Sequence, residues 1–166
     1  KEDVLVILGD AGINLWCDFR DEDLKQELLK LPITLLCIHG NHEERPFLRG
    51  YEEMKWHEGV VYYEAEYPNL LFAKDREIYD FDGKKAIAIG GAYSIDKYYC
   101  LMHELPWFQS ELPTYEIKNY VEMQLEKSDW CIDYVFSHTV AVQYEPVWAF
   151  IPGMNQALAD KTMECR

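Results

Sequence analysis

The sequence predicts a mixed α/β fold in which one part of the sheet structure is parallel and another is antiparallel. An apolar run at residues 3–8, an amphipathic segment at 21–30 and a second apolar run at 33–38 form a strand–helix–strand unit, which requires parallel pairing. Further along, short β-rich runs separated by turn residues indicate antiparallel strands. The 166 residues are enough for one domain with a substantial core.

The first half of the chain follows simple local rules. Residues 3–8 are short, continuously apolar and β-branched, as expected for a buried parallel strand. Leucines recur at helical spacing in segment 21–30 and predict an amphipathic helix. We expect Asp21 to cap this helix at its positive N-terminal end and Pro32 to end it.

The second half changes character. Its β-rich runs predict short strands, and Asp82-Gly83 predicts a hairpin between the last two of them. Residues 92–113 are aromatic and irregular, so we expect a long loop that either serves function or covers the edge of the core. Further predictions are strands at 60–63, 70–73, 77–81, 84–89 and 133–136, a helix at 114–127 capped by Thr114, a loop at 139–152 and the beginning of a helix at 155–166.

Composition narrows the function classes. The net charge of −14 repels phosphate backbones at long range, so broad non-specific nucleic-acid binding is disfavoured. The five cysteines include no Cys-x-x-Cys pair, which predicts neither a disulfide framework nor a thiolate zinc site. A reducing, cytoplasmic compartment is therefore expected. No apolar stretch reaches the roughly 18 residues that a membrane-spanning helix needs.

The segment Gly40-Asn41-His42-Glu43 carries the most chemical information. It follows the apolar run 33–38, so it lies where a strand ends and a loop begins. Glycine permits a sharp turn or a close approach to a ligand. The asparagine carbonyl oxygen can bind a hard cation, and the imidazole can bind metal or move a proton.

Two other strand ends carry side chains of the same kind. Gly9-Asp10 follows the run 3–8, and Ser137-His138 follows the run 133–136. Any one such end is ordinary turn chemistry. In an open α/β sheet, however, ligands bind outside the carboxyl ends of the strands. The three ends together therefore predict a common site.

In this order the motifs resemble the calcineurin-like metallophosphoesterase family. The family pattern is Asp-x-His, Gly-Asp, Gly-Asn-His-(Asp/Glu), a lone His and Gly-His-x-His. The run 89–97 is also similar to a segment of bacterial and phage-type members. The resemblance implies a β-sandwich of two mixed sheets flanked by helices, formed by residues 1–166 as one domain. The first and last motifs are absent, so we expect a member that is incomplete at both termini.

The resemblance also implies roles for individual residues. The family holds two divalent ions, which are manganese, iron or zinc. Asp10 matches the carboxylate that bridges them, and Asn41 and His138 match ligands of the second ion. His42 matches the catalytic residue that protonates the leaving group or steadies the transition state. His39, directly before Gly40, is expected to support the site. With these ligands, this chain is expected to hold one metal ion or none.

The implied function is metal-dependent hydrolysis of phosphomonoesters or phosphodiesters. The acidic surface favours a small phosphoester over a long polynucleotide, and no membrane partner is expected. Asn14, Arg45, Asp96 and Lys97 are candidates for contact with the substrate, although Lys97 fits an ordinary surface ion pair equally well. The sequence leaves the oligomeric state open, and the absence of the family's first strand is expected to expose a sheet edge that promotes association.

Two other classes of function stay open on the sequence. One is a non-catalytic binding or scaffold domain on the same fold, favoured by the two absent motifs and by the aromatic residues within 92–108, since aromatic residues are enriched at interfaces. The other is a nucleotide-binding α/β domain. It has little support, because the chain contains neither of the glycine-rich motifs that cradle phosphate.

Overall fold

The computed structural model describes residues 3–140 and residue 144 of the chain. Strands in this part are β1 to β8, at Val4–Leu8, Thr34–Ile38, Glu52–Trp56, Gly59–Tyr63, Leu70–Ala73, Ile78–Phe81, Lys84–Ile89 and Tyr134–Ser137. The α-helices are α1 at Phe19–Leu29, α2 at Lys97–Met102 and α3 at Tyr115–Lys127. Short 3-10 helices lie at Pro46–Arg49 and Gln109–Glu111.

The strands form two mixed sheets. The first has the order β1-β2-β5-β4-β3, in which β1, β2 and β5 are parallel and the remaining pairs are antiparallel. The second has the order β6-β7-β8, with an antiparallel hairpin between β6 and β7 and a parallel pair between β7 and β8. The predicted α+β architecture of two mixed sheets is confirmed at this level.

The core lies between the two sheets. Leu36 and Leu71 of the first sheet pack in one buried cluster with Tyr79 and Ala88 of the second. The buried Tyr79 hydroxyl donates to the carbonyl oxygen of Val60 (2.7 Å) and accepts from the backbone N–H of Lys74 (3.0 Å). The hydroxyl of Tyr79 therefore links the second sheet to the backbone of the first.

Helix α1 covers the other face of the first sheet. Leu24 and Leu28 of the helix pack against a second buried cluster that includes Leu35 and Phe72. This arrangement follows from the β1-α1-β2 order, because a crossover helix between parallel strands must lie on one face of the sheet. The structure is therefore layered as helix, sheet and sheet.

The N-terminal cap of α1 differs from the prediction. Asp18 is the cap, and its carboxylate accepts from the N–H of Arg20 at 3.0 Å. The prediction of Asp21 was wrong, because Asp18 has the extended backbone that a cap requires. The Asp21 carboxylate instead accepts from the N–H groups of Trp16 (3.1 Å) and Cys17 (2.7 Å) and fixes the loop before the helix.

Other local predictions are confirmed. Asp82 and Gly83 both have positive φ, 54° and 82°, as the predicted two-residue hairpin requires. Thr114 caps α3 by accepting from the N–H of Ile117 at 3.4 Å. Strand β3 and helix α2 were not predicted, and α2 interrupts the expected loop at 92–113. The predicted helix at 155–166 lies outside the described residues. Most of the loop predicted at 139–152 does so too, because only residues 139, 140 and 144 of it are described.

Strand β1 forms one edge of the five-stranded sheet. Leu5 and Leu8 are 51% and 50% exposed, so the prediction of a buried strand was wrong, because β1 pairs on one side only within the described residues. Among the described residues, no helix is both long enough and apolar enough to span a membrane.

Removing the Tyr79 hydroxyl tests the link between the sheets. Tyr79→Phe leaves the Val60 carbonyl and the Lys74 N–H without their partner, so we expect the free energy of unfolding to fall by about 1–3 kcal/mol in urea titrations. The matched control is Tyr63→Phe, whose exposed hydroxyl donates to Glu52. Equal decreases in the free energy of unfolding of the two variants would contradict the proposed role of Tyr79.

Candidate metal and catalytic site

Asp10 joins the loop after β1 to the loop after β2. Its Oδ1 accepts from the backbone N–H groups of Asn41 and His42, each at 3.1 Å. The two loops approach so closely that a Cβ atom at Gly40 would lie 2.1 Å from Asp10 Oδ1. Glycine at position 40 is therefore a steric requirement of the site.

His138 completes the cluster from the second sheet. Its Nε2 lies 2.8 Å from Asn41 Oδ1 and 3.5 Å from Asp10 Oδ2, and its Nδ1 lies 2.7 Å from the carbonyl oxygen of Leu8. A Cβ atom at Gly9 would lie 2.1 Å from Nδ1, so the ring packs directly on that glycine. The structure thus brings Asp10, Asn41 and His138, the three predicted ligands, to one place.

The donor set of this cluster fits a cation. Because the Leu8 carbonyl can only accept, Nδ1 of His138 carries the proton, and a neutral ring then has its lone pair on Nε2. The Asn41 amide nitrogen donates to Ser94 Oγ at 2.9 Å, which turns its carbonyl oxygen towards the ring. Asp10 Oδ2 adds a third acceptor.

With a neutral His138 ring, three acceptor atoms therefore face one another. A bound divalent ion satisfies all three, and a ring N–H bonded to a backbone carbonyl is typical of metal-ligating histidines. A second proton on the His138 ring also satisfies the arrangement, so metal and proton compete for this position. Mixed oxygen and nitrogen donors suit manganese, iron or zinc.

The number of donors limits what can bind. The described part of the chain contains no group of three or more His, Cys, Asp and Glu side chains placed to hold a metal ion. The third donor here is the Asn41 amide, which completes a three-donor set for one ion. For a second ion, the residues matched to the family supply only Asp10.

His42 lies beside the cluster and is accessible from solvent. Its side chain is 35% exposed, and its Nε2 lies 3.7 Å from Asp96 Oδ2. The backbone N–H of His42 donates to Asp10, which holds the backbone of His42 next to a predicted ligand. Asp96 Oδ1 is buried and has no hydrogen-bond partner. The imidazole is therefore positioned next to a carboxylate, as a proton-transfer group requires.

Glu43 received no role from the sequence, although it belongs to the most informative motif. Its side chain is buried, and its Oε1 accepts from the N–H of Gly40. Its Oε2 is buried and has no hydrogen-bond partner in the described part of the chain. Burial raises the pKa of Glu43 to about 7, and the nearby charge of Asp10 raises it too, against the lowering effect of the backbone N–H groups of Gly40, Asp10 and Ala11. Glu43 thus lies between the two loops and is hydrogen-bonded to the loop after β2.

Two predicted substrate contacts are buried instead. The side-chain oxygen of Asn14 accepts from the hydroxyl of Tyr51 at 2.8 Å. The Arg45 guanidinium pairs with Asp75 and donates to the Ser110 carbonyl at 2.7 Å. Substrate binding by Asn14 and Arg45 stays a prediction, and the burial of both side chains argues against it. Both stabilise the scaffold under the site.

The other predicted contacts lie nearer to the cluster. Asp96 is next to His42, and Lys97 begins α2 with its Nζ 4.0 Å from the centroid of the Trp107 ring. His39 is buried, and burial lowers its pKa well below the usual value, with the charge of Arg45 adding to the effect. A neutral, buried His39 agrees with the supporting role that the sequence indicates.

Comparison with models of known protein families, with curated proteins and with solved structures finds no match to this chain. The resemblance to metallophosphoesterases therefore depends on the motifs themselves, and the placement of Asp10, Asn41 and His138 at one edge is what connects those motifs to a site.

Replacing Glu43 tests its effect on stability. Since its folded-state pKa of about 7 exceeds the ordinary value, the folded protein binds more protons than the unfolded protein between about pH 4.5 and 7. This residue therefore lowers the free energy of unfolding as pH rises through that window, by about 3 kcal/mol in total. In urea titrations with chelator at pH 5 to 8, Glu43→Gln should remove that decrease.

The control for this experiment is the neighbouring carboxylate. Glu44 is partly exposed and lies 4.0 Å from Arg49, so Glu44→Gln should leave the wild-type pH dependence intact. A Glu43→Gln profile parallel to the wild-type profile would show that the buried carboxyl does not titrate in this window.

Proposed function

We propose that this protein hydrolyses small phosphoesters with the help of a bound divalent metal ion. The observation that carries the proposal is the convergence of Asp10 Oδ2, Asn41 Oδ1 and His138 Nε2 at one place. Membership of the calcineurin-like metallophosphoesterase family, and the finer features of that fold, are part of the same proposal. The ordered motifs support it.

The chain's own residues prepare the metal position. The backbone N–H groups of Asn41 and His42 hold Asp10 Oδ1, which leaves Oδ2 directed towards His138. The Leu8 carbonyl fixes the tautomer of His138, and Ser94 orients the amide of Asn41. When bound, a divalent ion neutralises phosphate oxygens and lowers the pKa of a coordinated water to near neutrality.

In the proposed mechanism, His42 donates a proton to the leaving group. Its ring is partly exposed, and its Nε2 lies 3.7 Å from the carboxylate of Asp96. A protonated imidazole at this position can donate to the leaving alkoxide. General acid catalysis of this kind contributes about 10²–10⁴-fold to a rate.

Charge and thiol chemistry bear on the substrate and the compartment. With a net charge of −14, the protein repels long polyanions, whereas a metal ion reverses the charge locally and admits one phosphate. Cys17, Cys37, Cys100 and Cys131 are free thiols, which supports action in a reducing compartment such as the cytoplasm.

Turnover by a His42 variant tests the catalytic proposal. With Mn²⁺ and 4-nitrophenyl phosphate or its diester, His42→Ala should lower kcat by about 100-fold or more, because the leaving group loses its proton donor. His57 is exposed and has a positive φ of 46°, so His57→Asn is the matched control and should retain activity. Circular dichroism confirms that both variants fold.

Two results would contradict the proposal. Equal turnover by wild type and His42→Ala would remove His42 from the mechanism. Absence of any Mn²⁺-dependent turnover by wild type, with metal bound, would favour a binding domain on this fold.

A further inference from the structure

A cleft of about 420 Å³ opens between the loop that precedes α1 and residues 104–108. Its walls include Trp16, Cys17 and Arg20 on one side and Pro106, Trp107 and Phe108 on the other. The volume lies within the range of about 300–1,000 Å³ that is usual for small-molecule sites. Neither the metal ligands nor His42 line it.

A positively charged side chain lies over the ring of each tryptophan in the cleft. The guanidinium carbon of Arg20 lies 3.7 Å from the centroid of the Trp16 ring, and Lys97 Nζ lies 4.0 Å from that of Trp107. Trp107 is fixed because its Nε1 donates to the buried Glu111 at 2.8 Å. Arg20 is also paired with Asp18 at 2.6 Å, and Glu104 lines the same cleft, so the cleft carries charges of both signs.

A chain of contacts leads from the candidate catalytic site towards the cleft. The loop that carries Trp16 begins directly after Asp10, the predicted bridging ligand. On the other side, Lys97 contacts Trp107 and follows Asp96, whose carboxylate lies 3.7 Å from His42.

We propose that this cleft binds the planar aromatic group of the phosphoester substrate, either a nucleobase or a simple aryl ring. This inference rests on the proposed phosphoesterase function and narrows its substrate class. Indole faces stack on flat rings with any substituent pattern. In this proposal Lys97, whose Nζ lies over the Trp107 ring, attracts the anionic phosphate end of such a molecule.

Binding without metal tests this inference apart from catalysis. In chelator, adenosine 5′-monophosphate and 4-nitrophenyl phosphate are titrated into protein labelled with ¹⁵N, and the indole N–H resonances of tryptophan are followed. Saturable shifts are expected for Trp16 and Trp107. Trp130, which is 65% exposed, is the internal control for non-specific stacking and should not shift. Whichever ligand binds with the lower Kd identifies the source of the ring.

A substitution makes the test quantitative. Trp16→Leu should raise the Kd for the preferred aromatic phosphate about tenfold, since stacking of one base on one indole has this order of magnitude. The matched control, Trp130→Leu, should leave that Kd unchanged. Glycerol phosphate has no ring and should bind wild type and Trp16→Leu equally.

The outcomes separate the two proposals. Shifts of Trp130 as large as those of Trp16, or an unchanged Kd in Trp16→Leu, would overturn the aromatic cleft. Saturable aromatic binding in a protein that shows no metal-dependent turnover would support the cleft and refute the phosphoesterase proposal. Turnover of glycerol phosphate as fast as that of both aromatic substrates would refute the cleft and support the phosphoesterase proposal.

Discussion

The buried carboxyl group of Glu43 is the interaction on which the candidate site depends. Its Oε1 accepts from the backbone N–H of Gly40, whereas Oε2 is buried without a hydrogen-bond partner among the described residues. The backbone N–H groups of Asp10 and Ala11 nearby lower the pKa of the group. The buried side chain therefore lies between the loops after β1 and β2, which Asp10 Oδ1 joins by accepting from the N–H groups of Asn41 and His42.

The third ligand depends on a different constraint, the packing of the two sheets. His138 follows β8 of the second sheet, whereas Asp10 and Asn41 follow strands of the first. The cluster that contains Leu36 and Tyr79 fixes the distance between the sheets. Changes in this core are thus expected to move His138 relative to its partners. Stability and site geometry are coupled through the sandwich.

Local sequence signals predicted the parts of the fold that local interactions determine. The β1-α1-β2 unit, the Asp82-Gly83 turn and the cap of α3 by Thr114 were all predicted correctly. Strand β3 was missed because its sequence, EEMKW, is highly charged and its strand structure depends on pairing with β4. The buried face expected for β1 was wrong because burial depends on a second neighbouring strand.

The sequence likewise predicted some features of the candidate site and not others. The residues with chemical signatures at strand ends, Asp10, Asn41 and His138, were identified from the sequence and lie together. The raised pKa of the buried Glu43 could not be predicted, because it depends partly on the charge of Asp10, more than thirty positions away in sequence. Burial of Asn14 and Arg45 was missed for the same reason, since Tyr51 and Asp75 are their partners only in the folded chain.

Calorimetric titration of the chain with Mn²⁺ at neutral pH tests the central claim most directly. The three acceptors predict one Mn²⁺ per chain, and this binding should be lost in His138→Ala while Glu44→Gln retains it. Binding that persists unchanged in His138→Ala would contradict the account, because the ion would then lie elsewhere. Absence of any Mn²⁺ binding by the wild-type protein would show that the three acceptors do not form a manganese site.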